Sequence, residues 1–97
     1  MAVSRQDLLD LVEETYGVRH PDFDSIRKQY SRITDNIHDE DIESDARLLI
    51  AGVDATKNTY EDWSEMSEHE RKKALNAIKR IRNLTRSTLK KYDVAVE

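Results

Sequence analysis

Residues 67–92 read SEHERKKALNAIKRIRNLTRSTLKKY, and this stretch decides the fold. Ser67 followed three residues later by Glu70 is a capping box, in which each side chain satisfies the other residue's free backbone N–H. Beyond it Ala74, Ala77, Ile78, Ile81, Leu84, Leu89 and Tyr92 recur at helical spacing with no Gly or Pro between them. The pattern predicts the longest helix of the chain over 67–92. Thr85 and Thr88 share its apolar stripe, and their hydroxyls predict looser packing or partial exposure toward its end. Residues 94–97 read as a frayed tail.

Upstream, Ile42, Ala46, Leu49, Val53, Thr56, Tyr60 and Trp63 alternate four- and three-residue steps, which places them on one face of a helix over 40–58. Gly52 lies in its middle, where glycine costs roughly 1 kcal/mol relative to alanine. Such a position suits the close approach of another helix. Asn58 and Thr59, with Asp62 three residues on, permit a break and a short extra turn over 59–65, with continuation of the helix as the alternative.

Phe23, Ile26, Tyr30, Ile33 and Ile37 likewise share one face and predict a helix over 22–37. The acidic group Asp39-Glu40-Asp41 suits the start of the next helix, where carboxylates meet free amides and the positive end of the dipole. The first helix is placed at 5–16. Ser4 with Asp7 caps it, Val3 staples to Leu8, and Gly17 ahead of His20-Pro21 stops it in the Schellman manner. Its inward stripe is Leu8, Leu9, Leu11, Val12, Thr15 and Tyr16.

These segments predict an all-α, antiparallel bundle of about four helices forming one domain over 1–97, with crossing angles of roughly 20°. The chain has 97 residues, 37% apolar and 37% charged, a balance that also approaches the disordered class, so the periodicity is what argues for folding. With no cysteine, there is no disulfide and no thiolate site. No run approaches the 18 or so apolar residues of a membrane span, and the opening Met1-Ala2-Val3-Ser4-Arg5 does not lead into a signal-peptide core, so a cytoplasmic address is expected.

Charge is distributed unevenly. Residues 1–70 carry 7 basic and 18 acidic side chains, net −11, and residues 71–97 carry 9 and 2, net +7, which together give the overall −4. Between Arg71 and Lys91 there is no acid at all. At 100° per residue, Lys72, Lys79, Arg86 and Lys90 fall in a narrow arc with Asn76 and Asn83 beside them, away from Ile78 and Ile81. Such a face can dock on an acidic protein surface or follow a phosphate backbone. The plainer account is a solvated helix whose charges attract its acidic neighbours and complement its dipole; the dipole covers only the last turn.

Catalytic motifs are missing. No Ser, Lys or His sits in a nucleophile context, and no cofactor motif or metal-ligand spacing occurs. Glu65 and His69 are four apart, but the helix start at Ser67 breaks their alignment. The group His38 to Asp41 has the simpler reading of helix-entry carboxylates. The aromatic residues fall on the apolar stripes and therefore read as core, and the acidic remainder of the chain opposes both nucleic acid and anionic lipid.

The expected function is a non-enzymatic protein-protein interaction module, an adaptor or inhibitor, working through polarised acidic and basic helix surfaces. The alternative is nucleic-acid binding by the basic helix, as a dimer that doubles its basic surface. A third reading is assembly of copies through Leu84, Thr88 and Leu89.

Overall fold

The structure, a computed structural model, describes residues 2–32 and 40–91, with the backbone alone for residues 40 and 41. It contains helices α1 (Arg5–Tyr16), α2 (Phe23–Ser31), α3 (Glu40–Asp62) and α4 (Glu68–Lys91), with a 3-10 turn at Trp63–Glu65 between the last two. No strand occurs among the described residues, and none of their helices is long and apolar enough to cross a membrane. Ile33, Ile37, His38, Asp39, Tyr92 and the tail 94–97 lie outside the described residues.

Local chemistry sets the ends of α1. Ser4 and Asp7 form the reciprocal capping box, and Gly17 stops the helix at φ 85°, in the left-handed region, with its N–H donating to the Glu13 carbonyl at 2.8 Å. All six residues of the predicted stripe are buried. Asp22 caps α2 by accepting from the Ser25 N–H. In α3 the break signalled at Asn58 does not occur, and the helix runs on to Asp62. Thr56, Tyr60 and Trp63 continue its inward stripe, and the burial of Thr56 and Trp63 outweighs the local turn preference. The extra turn is confined to Trp63–Glu65.

Pairs of contacts fix the direction of each helix. Gly52 of α3 lies against Ile81 of α4, and Lys91 meets Asp45 at 3.1 Å, so these two helices are antiparallel. Arg27 meets Asp54 at 3.3 Å and Lys57 meets Asp24 at 3.5 Å, which makes α2 antiparallel to α3. By contrast, the Val3 N–H donates to Glu68 at 2.7 Å while Glu14 pairs with Arg82, so α1 runs in the same sense as α4. The segment 17–22 makes this arrangement by doubling back. It can span about 20 Å, close to the roughly 18 Å length of α1. Arg19 bonds back to Asp10, Glu13 and Gln6, and the His20 ring meets the Tyr60 hydroxyl beside Arg5, at the starting end of α1.

α1 packs on α4 and α2 on α3, and the core forms between these pairs. Leu8, Val12 and Tyr16 meet Phe23, Ile26, Tyr30, Leu49, Val53, Trp63, Leu75, Ile78 and Leu89 there. The approach of α3 to α4 depends on Gly52, because a Cβ at that position would lie 2.8 Å from Ile81 Cγ2.

One expectation about α4 is overturned. Thr85 and Thr88 are 1% and 6% exposed, so the stripe is closed where the hydroxyls were expected to loosen it. The more apolar Leu84 is 40% exposed. Position outranks polarity: Thr85 lies about 20° from Ile78 around the helix and Leu84 about 120°. Burial of Thr88 and Leu89 also removes two of the three residues proposed to join copies of the chain.

Candidate interaction site

The basic segment is helical from its first turn because Ser67 and Glu70 cap it reciprocally. The Glu70 N–H donates to Ser67 Oγ at 3.1 Å, and the Ser67 N–H donates to the Glu70 carboxylate at 3.0 Å. The Ser67 N–H, followed by its hydroxyl, holds the Glu70 carboxyl below its ordinary range. At the other end, Lys90 and Lys91 stand in the last turn, where cations complement the dipole.

The cations of α4 divide into two sets. Four are held by the rest of the molecule, three on the flank beside α1 and the 3-10 turn and Lys91 on the edge next to α3. Arg71 donates to the Trp63 carbonyl at 2.9 Å and lies 5.2 Å from the centre of that indole ring. Arg82 pairs with the Glu14 carboxylate, Arg86 donates to the Glu14 carbonyl at 2.9 Å, and Lys91 pairs with Asp45. The plainer account of the charge run therefore covers these four.

Pairing within the fold does not cover the other five, and the helix dipole reaches only Lys90 among them. Lys72, Lys73, Lys79, Arg80 and Lys90 are exposed and make no hydrogen bond or ion pair with the described residues. Of the six residues expected to meet a partner, Lys72, Lys79, Lys90, Asn76 and Asn83 are exposed together on this outer face. Asn83 also accepts from Arg82 at 3.4 Å. Arg86 is exposed but committed to α1. Lys73 and Arg80 extend the face by about 100° beyond Lys79, past the two asparagines. Sequence reasoning missed them by restricting the face to one narrow arc; for Arg80 the lack of acidic neighbours at i±3 and i±4 was the available signal, and for Lys73 the one such acid, Glu70, is the residue that the capping box with Ser67 engages.

An open depression of about 350 Å³ is lined by Asp10, Glu13, Glu14 and Arg19, but Arg19 and Arg82 already occupy its carboxylates. Tyr16 donates to Thr56 Oγ1 at 3.4 Å in the core, and burial raises its phenol above the ordinary value. Burial raises the Tyr30 phenol strongly as well, with a further contribution from Tyr16, and its hydroxyl has no hydrogen-bond partner among the described residues. Tyr16, Phe23, Tyr30 and Trp63 are buried and Tyr60 is half-buried, leaving no stacking platform on the outer face of α4 among the described residues. No three His, Asp or Glu side chains converge as metal ligands among those residues.

In comparisons with known proteins, the chain matches no family model, no curated protein and no solved structure. Its function is accordingly argued from its own surface.

Proposed function

We propose that this chain is a non-enzymatic, cytoplasmic protein-binding module whose outer α4 face docks on an acidic protein surface. The observation that carries this reading is the set of five exposed cations, Lys72, Lys73, Lys79, Arg80 and Lys90, with no partner among the described residues. The site is rigid, because α4 is held along its opposite flank by α1 and α3. A rigid row of like charges accelerates encounter with an oppositely charged surface and fixes its orientation. The compartment is part of the proposal, since a fold without cysteine has no need of an oxidising environment.

Nucleic acid is the rival ligand for the same cations. The net charge of −4 opposes it, and burial of Tyr16, Phe23, Tyr30 and Trp63 withholds these rings from base stacking. Fluorescence anisotropy with a labelled Asp/Glu-rich peptide and a labelled DNA duplex, over a salt series, separates the two. The proposal expects the peptide to bind more tightly than the duplex at equal salt, with affinity falling as salt rises. It also expects K72E/K79E/K90E to weaken peptide binding at least tenfold. Tighter binding of the duplex, or unchanged peptide binding by that variant, would overturn it.

A further inference from the structure

The side of the α3–α4 hairpin facing away from α1 and α2 is uncovered, and its composition differs from the rest of the surface. Three large hydrophobic residues are exposed among the described residues, and two of them, Leu48 at 48% and Leu84 at 40%, belong to this side. Leu48 precedes Gly52 by four residues and Leu84 follows Ile81 by three. In an antiparallel pair, both steps lead one turn in the same direction from the Gly52–Ile81 contact. The two leucines therefore stand at one level on opposite banks of the seam.

One turn the other way, the seam carries Ala55 and Ala77, both exposed, and Ala51 lies beside Gly52. The result is a shallow groove with a floor of small side chains and Ile81, and leucines at one end. Its α4 bank is rimmed by Lys73 and Arg80, which have no partner among the described residues.

That rim selects the occupant. A second copy laid on the same groove about a two-fold axis across the helices would set α4 against α4, bringing Arg80 near its own counterpart. Like charges brought together in this way oppose the contact. A helix with acids only along the flank that meets α4 avoids this penalty, its other flank lying against the α3 bank, where Asp62 is exposed.

We propose that the α3–α4 seam is a docking groove for an amphipathic helix of another protein, one with a Leu/Ala face against the seam and Glu or Asp along the flank that meets Lys73 and Arg80. The inference rests on the protein-binding reading of α4 and specifies the partner's form. Close helix approach is favoured where small residues line the contact, and the exposed leucines supply the apolar area that a purely electrostatic contact lacks.

The test uses two labelled 21-residue peptides of equal charge, one with leucines on a single helical face and glutamates along one flank, the other with those leucines replaced by serine. Their anisotropy is followed with wild type, L48S/L84S and K73E/R80E, and far-UV circular dichroism confirms that each variant is helical. Both leucines are exposed, so their replacement leaves the core intact. Wild type should bind the leucine peptide at least tenfold more tightly than the serine peptide. L48S/L84S should erase that difference, and K73E/R80E should weaken both peptides. Equal binding of the two peptides by wild type, with sensitivity to K72E/K79E/K90E retained, would overturn the groove and leave the basic-face reading standing. Binding of neither peptide would overturn both. Sedimentation of the protein alone showing a dimer that L48S/L84S dissociates would make a second copy the occupant and overturn the proposal.

Discussion

The cations of α4 that the fold holds and those that it leaves exposed are the same kinds of side chain in different circumstances. Arg71, Arg82, Arg86 and Lys91 reach carbonyls and carboxylates of other elements, whereas Lys72, Lys73, Lys79, Arg80 and Lys90 reach none among the described residues. A run of cations with no acid among them is one feature in the sequence and two in the fold. The first set joins the basic helix to an acidic body; the second is surplus to that task. Excess charge on a rigid face is a basis for association, because exposed pairs contribute little to stability while unpaired fields act on partners at a distance.

The sharpest way to break this division is to exchange neighbours across it. Ile78 is 1% exposed and Lys79 beside it lies on the outer face. Ile78→Ala should lower the urea-unfolding free energy by about 2–5 kcal/mol. Lys79→Ala should change it by less than about 0.5 kcal/mol. Comparable losses for the two would mean that the outer face takes part in the packing.

Gly52→Val tests the boundary between the packed and open sides of the hairpin. Its Cβ would fall 2.8 Å from Ile81 Cγ2, on a branched carbon with little freedom to move, so overpacking should cost about 1–3 kcal/mol. A stabilised variant would show that α3 and α4 stand further apart than described here.

Within the packed side, Tyr30→Phe should stabilise the protein by about 1 kcal/mol, since it removes a buried hydroxyl that has no partner among the described residues. The pH dependence has a definite sign. A phenol whose pKa is raised on folding contributes stability that is fully present below its ordinary pKa of 10.0 and is lost as pH rises beyond it. Thermal midpoints should therefore fall above about pH 10. The fall should be smaller in Tyr30→Phe.

Much of the fold was legible because its signals are local. The capping boxes at Ser4 and Ser67, the stop at Gly17 and the six buried residues of α1 follow from spacing and turn chemistry. Gly52 was readable as a point of close approach. What could not be read depends on residues distant in sequence. The Asn58–Thr59 signal gave way to burial of Thr56 and Trp63, and the shared sense of α1 and α4 follows from the return of 17–22 along α1, tied by Arg19. The site shows the same division. Its basic face was visible from periodicity, but the commitment of Arg86 to Glu14 depends on a residue in α1, and the groove beside Leu48 requires the register of α3 on α4.

The most direct test of the division sets K72E/K79E/K90E against R82Q/R86Q, measuring for each the thermal midpoint and the affinity for the Asp/Glu-rich peptide. Arg82 and Arg86 make exposed or half-exposed bonds to Glu14, so R82Q/R86Q should lose stability, by up to about 1 kcal/mol, and retain most of its binding. The outer variant should retain its midpoint and lose at least tenfold in affinity. The contradicting result is the reverse: an outer variant that unfolds more readily yet binds as before, which would make all nine cations part of the scaffold.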